Sequence, residues 1–331
     1  MSKRFLRITF PVILVVAIFF LGPGPVKPEW STTLPVVPSD PSLLESYVQQ
    51  NESKHRLKPD NEARIVWADS TRSKTKYAVV YLHGFSASQK EGDPVHRRFA
   101  KEFGCNLYLS RLADHGIDTT EALLNFTVDR EWGSAKEALM IGKAIGDHVI
   151  LMSTSTGGTM ALALAAEFPD DVFALINMSP NIRINNGAAF ILNDPWGLNI
   201  ARLVKGGKYN QWEASTERAQ YWNNKYRLEA TVQLEEMLES KMKEETFAKV
   251  KQPCLTLYYY KSEQEQDPEV KVSAMLTMMK QLGTADDLKR AVAIPTAGAH
   301  VLGSDLVSRD VDGVYKEIEK FAEEILKLPK P

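Results

Sequence analysis

Residues 42–331 predict an α/β fold built on a mostly parallel sheet with a helical insertion. Three observations carry that expectation. Several short β-branched and aromatic runs are apolar without alternation, as in strands covered on both faces. Helical apolar stripes sit between them. The stretch at about 184–250 breaks the alternation, with no convincing strand and many aromatic residues.

In chain order, LLESYVQQNE has helical spacing, and ARIVWADS and YAVVYLHGF read as strands. PVHRRFAKEF follows as a helix and NLYLSRL as a strand. SAKEALMIGKAIG places Ala135, Ala138, Leu139, Gly142 and Ile145 on one helical face. HVILMSTS is a strand running directly into the helix TGGTMALALAAEF, and VFALINMSP is the next strand. The insertion holds Trp196, Trp212, Trp222, Tyr209, Tyr221 and Tyr226, with a helical run at TVQLEEMLESKM. A structureless loop of that length is rare in a compact domain, so it reads as helical. CLTLYYYK and AVAIPTAG complete the strands. VKVSAMLTMMKQL carries Val272, Met275, Leu276, Met279 and Leu282. The last helix carries Val311, Val314, Ile318, Phe321 and Ile325. Strand alternating with helix is the pattern of an α/β fold with right-handed crossovers.

The start of the chain differs. Lys3, Arg4 and Arg7 precede an uncharged apolar run from Ile8 to Leu21, and the uncharged stretch continues to Val26. Residues 1–26 are therefore expected to be a signal peptide or an N-terminal membrane anchor, with the rest exported: periplasmic, extracellular or anchored. Residues 27–41 are proline-rich and read as an extended tether rather than a packed element. The net charge of −2 gives no reason to expect nucleic acid. Cys105 and Cys254, at the starts of two strands that are not neighbours, read as buried free thiols. No His/Cys cluster has zinc spacing, and neither metal nor organic cofactor is expected.

Chemistry concentrates in a few places. In STSTG at 153–157, a serine at a strand end is followed by two glycines, as a strained strand-to-helix turn needs. Ser155 is the expected nucleophile. Ser153 stands where such turns usually have glycine, at some steric cost. The competing reading is a serine N-cap. Earlier, a strand ends in His83-Gly84-Phe85; the backbone N–H of Phe85, with that of Thr156, is placed to face an oxyanion. His83, inside that loop, is expected to make a structural hydrogen bond. After CLTLYYYK, Asp267 precedes a helix starting near Val270 and is the expected acid. Glu263 and Glu265 compete with it, and a helix N-cap is its rival role. His300 follows the last strand, where a histidine can reach both the serine and the carboxylate. His55 lies upstream of the sheet, His96 on a polar helix and His148 at a strand start. His115 is the only rival base, and it precedes the serine.

These features in this order resemble the α/β-hydrolase superfamily from about Pro59 to the end of the chain: HGF at 83–85, ADHG at 113–116, STSTG at 153–157, Asp267 in DPEV and His300 in AGAH. The insertion at about 184–250 falls where that family carries its cap. Carboxylesterases and monoacylglycerol lipases are the most similar branch. The resemblance implies a serine hydrolase that cleaves carboxylic esters through an acyl-enzyme intermediate. Ser155 would attack, His300 would shuttle the proton and Asp267 would orient it. A serine nucleophile excludes the halide- and epoxide-opening branches. The aromatic cap points to an apolar pocket and a small-molecule or lipid-like ester. An aminopeptidase or amidase would use the same triad, with Glu213, Glu217 and Glu229 as candidate partners for a substrate amine. A non-catalytic membrane-tethered binding module and a structural surface protein are the other readings.

Overall fold

A computed structural model describes residues 18–330. Helix α1 (Pro41–Glu52) leads into β1 (Arg64–Val66) and β2 (Thr75–Leu82). Then come α2 (Val95–Glu102), β3 (Asn106–Leu109), α3 (Val128–Ile145), β4 (Gly146–Thr154), α4 (Thr156–Glu167) and β5 (Ala174–Met178). After the insertion, β8 (Cys254–Tyr258), α9 (Val272–Gln281), β9 (Lys289–Ala293) and α10 (Val311–Glu324) complete the body. The seven strands of the body form one sheet in the order β1-β3-β2-β4-β5-β8-β9. Only the β1–β3 pair is antiparallel. The expected α/β architecture is the one observed.

The unbroken apolar runs are explained by the layers. In β2, Ala78, Val80 and Leu82 enter one core with α1, α3, α4 and α9, while Val79 and Tyr81 enter the opposite core with α2 and α10. Side chains alternate across a strand, so a central strand covered on both faces must be apolar at every position. The expected stripes are largely internal: Ala135, Ala138, Leu139, Gly142 and Ile145 are all buried on α3, as are Val314, Ile318 and Phe321 on α10. Cys105 and Cys254 are buried free thiols, at or beside the starts of β3 and β8, which are not neighbours.

The insertion holds α5 (Gly197–Lys205), α6 (Thr216–Tyr221), α7 (Leu228–Lys241) and the short α8 (Glu244–Phe247). It also holds a feature absent from the sequence expectation: β6 (Tyr209–Gln211) pairs antiparallel with β7 (Lys225–Arg227). Each strand is three residues long and neither contains a β-branched residue, so neither leaves a strand pattern in the sequence.

Residues 27–41 also depart from expectation. Their backbone carries no regular structure until α1, but it is packed. The Trp132 indole on α3 donates to Ser31 O at 2.8 Å, and Lys136 Nζ donates to Ser31 O and Thr33 O. The Trp30 indole reaches Ser240 Oγ on α7, and Lys27 pairs with Glu236 at 2.7 Å. An indole buries a large apolar area while its N–H finds an acceptor, so Trp30 and Trp132, with the two lysines, hold the proline-rich segment down. The apolar leader expected at 1–26 lies mostly outside the described residues. Among the described residues, no helix is long and apolar enough to cross a membrane.

Candidate functional site

The parallel strands deliver their following loops to one end of the sheet, where open α/β sheets form their crevices. From the centre, β4 ends in Ser155, which adopts φ 52° and ψ −119° before α4 begins at Thr156. A serine at positive φ is strained, and such strain persists only where the surroundings over-determine it. Three backbone bonds do so here: Ser155 N donates to Met178 O, while Asn181 N and Gly158 N donate to Ser155 O. The serine does not act as a side-chain helix cap.

The small residues around it have distinct reasons. A Cβ on Gly157 would lie 2.0 Å from Leu82 O, so the end of β2 demands glycine there. Gly158 is pressed by Pro180, where a Cβ would meet another carbon at 2.6 Å. Ser153 is tolerated for a different reason. Its Oγ donates to Asn177 Oδ1 on neighbouring β5 at 2.8 Å, and Asn177 Nδ2 in turn lies 3.6 Å from Cys254 Sγ. The departure from glycine is absorbed by a buried polar pair.

The expected acid and base are adjacent. His300 Nδ1 donates to Asp267 Oδ2 at 2.8 Å, and the aspartate side chain is fully buried. Asp267 Oδ1 accepts from Glu269 N at 2.9 Å and Val270 N at 3.0 Å. It therefore does not cap α9, whose N-cap is Lys271, one residue before the helix starts at Val272 rather than near Val270. Glu263 and Glu265 point elsewhere, bonded to Tyr260 and to Tyr259 and Lys261. Burial opposes charge on both members, but each charge and the bond between them prevail. His300 is raised above its ordinary value and Asp267 lowered below its own. Ser155 and His300 line one cavity of about 810 Å³. Among the described residues the Ser155 hydroxyl has no hydrogen-bond partner in this conformation; catalytic hydrogen bonds commonly tighten only with substrate bound.

Phe85 and Thr156 also line the cavity, and among the described residues neither backbone N–H donates to another group. That leaves both donors available to an anionic oxygen. The Phe85 ring packs edge-on against His115, Phe126 and Tyr226, fixing the loop. His83 is structural, as expected: its Nδ1 bonds to Gly84 O and its Nε2 accepts from Leu112 N. His115, buried with its Nδ1 on Ala113 O, is pushed by burial to about 4 and does not reach the cavity. His96 differs from expectation. Its helix is polar, yet its ring is buried against Tyr81 with Nε2 on Gln89 O.

One site residue was not anticipated. Glu91 is buried in the cavity wall, and its Oε2 accepts the Gly84 N–H. Burial pushes its carboxyl up to about 7, against the stabilising Gly84 N–H and the charge of His300. The only sequence signal is a glutamate seven positions beyond a glycine whose N–H needs an acceptor, which is indistinguishable from a surface charge in QKEGD. Conversely, Glu213 and Glu217 are exposed, and Glu229 is held by Arg202 and Arg227; none lines the cavity. The acidic amine site considered for an aminopeptidase is not formed by them. Among the described residues no cluster of His, Cys, Asp or Glu is arranged to hold a metal ion.

No protein-family model matches the chain, and no curated protein matches it significantly in sequence. Solved structures are similar in fold. One of the metagenome-derived lipolytic enzymes LipS and LipT is similar over 80% of this chain and 98% of its own, at 16% identity and a TM-score of 0.65. The monoacylglycerol lipase of Paleococcus ferrophilus covers 80% and 99%, at 13% identity and 0.56. A soluble variant of the monoglyceride lipase of Saccharomyces cerevisiae, in complex with a substrate analog, covers 81% and 90%, at 14% identity and 0.57.

Proposed function

From the α/β-hydrolase fold of this chain we propose that it is a serine hydrolase cleaving carboxylic esters through an acyl-enzyme intermediate. One observation carries the reading. A serine held at φ 52° on a strand-to-helix turn shares a cavity with a histidine bonded to a buried aspartate. Ser155 Oγ attacks the acyl carbonyl while His300 Nε2 takes its proton. Asp267 holds the ring with its proton on Nδ1. The N–H groups of Phe85 and Thr156 receive the oxyanion, each worth about 3 kcal/mol to the transition state. His300 then protonates the leaving alcohol, and water returns the serine by the same steps. The lipolytic and monoacylglycerol-cleaving relatives in fold support an ester as the substrate class. Export through the N-terminal segment belongs to the same proposal and is tested by the N-terminus of the mature protein.

The experiment is labelling with a fluorophosphonate probe followed by mass spectrometry. The modified residue is expected to be Ser155, and Ser155→Ala is expected to remain folded without label or esterase turnover. Turnover at the wild-type rate in that variant would overturn the reading.

A further inference from the structure

The cavity beside Ser155 contains a cation with no counter-charge against it. Arg218, on α6, lines the cavity with its guanidinium over Trp212 at 4.6 Å and Trp222 at 5.5 Å. Its Nε is buried without a hydrogen-bond partner. Among the described residues its side chain forms no ion pair. The other charged or titratable side chains in the wall are Lys205, Glu91, Glu269, Tyr226 and His300. The fields of Glu91 and Glu269 reach Arg218, but neither carboxylate is within ion-pair distance. Arg218 is half-buried, and that burial lowers the proton affinity of a guanidinium with no ion-pair partner among the described residues.

Arg218 is also held in place. Lys58 Nζ donates to Ala219 O at 2.9 Å and Trp222 O at 3.2 Å; Asn61 Nδ2 donates to Gln220 O at 3.1 Å; Tyr221 OH donates to Asp60 Oδ2 at 3.0 Å. These bonds fall on the four residues that follow Arg218 and fasten the C-terminal end of its helix to the body of the protein. A planar donor fork, stacked on two indoles and positioned before the ligand arrives, suits bidentate recognition of a carboxylate.

We infer that Arg218 receives a carboxylate carried by the substrate, so that the enzyme takes esters with a free carboxylate on one limb. This rests on the esterase reading above. The other limb is apolar, matching the wall of Ile191, Leu192, Ile200 and Val204. A phosphate dianion fits less well, because a single guanidinium would have to hold it beside two glutamates.

The test uses the full chain and two matched ester pairs. Mono(4-nitrophenyl) adipate against 4-nitrophenyl hexanoate places the carboxylate on the acyl limb. 4-(Butyryloxy)benzoate against 4-(butyryloxy)benzamide places it on the alcohol limb. The ratio of kcat/KM, anionic over neutral, is expected to favour the anion in at least one pair by roughly ten- to hundred-fold. Arg218→Gln is expected to remove that preference, and Arg218→Lys to restore part of it. In the wild type the preference should decline as salt rises. No anionic preference in either wild-type pair, or a preference that survives Arg218→Gln, overturns the inference. Should Arg218→Gln fail to fold, the wild-type ratio and its salt dependence decide alone. Failure of the esterase reading looks different: neither member of any pair is turned over, and the fluorophosphonate probe does not label Ser155.

Discussion

Replacing Asp267 by asparagine separates orientation of the base from support of the loop. The carboxylate has two duties: Oδ1 accepts the backbone N–H groups of Glu269 and Val270, and Oδ2 accepts His300 Nδ1–H. An asparagine can keep only one of them. With its carbonyl toward the backbone it keeps two bonds and turns an N–H toward the ring. Reversed, it keeps the ring bond and sets two buried N–H groups against a donor, at about 1–3 kcal/mol each. The first orientation wins. His300 must then accept at Nδ1, its proton moves to Nε2, and that nitrogen can no longer take the serine proton. The same exchange of tautomer in a Ser-His-Asp protease lowers kcat by about 10⁴, or about 5 kcal/mol of barrier at 1.36 kcal/mol per decade.

The expected outcome for Asp267→Asn is a loss of that order in kcat/KM on a 4-nitrophenyl ester and in the rate of fluorophosphonate labelling, with the fold retained. Stability supplies a signed control. The lowered Asp267 contributes above the ordinary carboxylate value of 3.8 and is lost as pH falls through its lowered value. The raised His300 contributes fully below 6.5 and is lost as pH rises through its raised value. The wild type should therefore exceed the variant most at pH values between the two, by about 1.5–3 kcal/mol for the charge-assisted bond, and by less at alkaline pH. A folded variant within tenfold of wild-type activity would refute the assignment of Asp267 as the orienting acid.

Other outcomes follow from the same geometry. The acid limb of kcat/KM should have its midpoint above the ordinary histidine value of about 6.5, and Glu91→Gln, which removes a negative charge that raises His300, should move it lower; an unmoved limb would separate Glu91 from the base. Because burial raises Glu91 from 4.5 to about 7, its carboxyl favours the folded state at low pH and loses that contribution as pH rises through about 7. Denaturant titrations should accordingly show Glu91→Gln gaining on the wild type over that window, by about 3 kcal/mol. Gly157→Ala places a Cβ 2.0 Å from Leu82 O, a backbone atom that cannot swing aside. It should destabilise by at least 1–3 kcal/mol, roughly the cost of overpacking, and abolish probe labelling, whereas a folded and fully labelled variant would show that the turn relaxes.

Much of this arrangement was legible in the residues. Strands covered on both faces write themselves as apolar runs, so HVILMSTS and CLTLYYYK could be placed from composition alone. The turn at Ser155 declares itself through the small residues that its backbone requires. What stayed hidden depends on partners distant in the chain. Ser153 reads as a defect until Asn177 is beside it. Glu91 reads as surface charge until the Gly84 N–H points at it. The β6–β7 pair has too few residues for any periodicity to show. Proline content describes the intrinsic stiffness of residues 27–41 but not the indole contacts that hold them down.

The segment around Trp30 acts as a strap. It is fastened at Ser31 and Thr33 to α3 of the sheet layer and at Lys27 and Trp30 to α7 of the insertion. Two helices, one of the body and one of the insertion, are thus tied together by residues far from both in sequence. Any cut, natural or engineered, that falls upstream of Lys27 leaves the knot in place. One that falls at the start of the first body helix unties it without touching Ser155, Asp267 or His300. Where the chain is severed therefore decides whether the two helices keep this third connection beside their own packing.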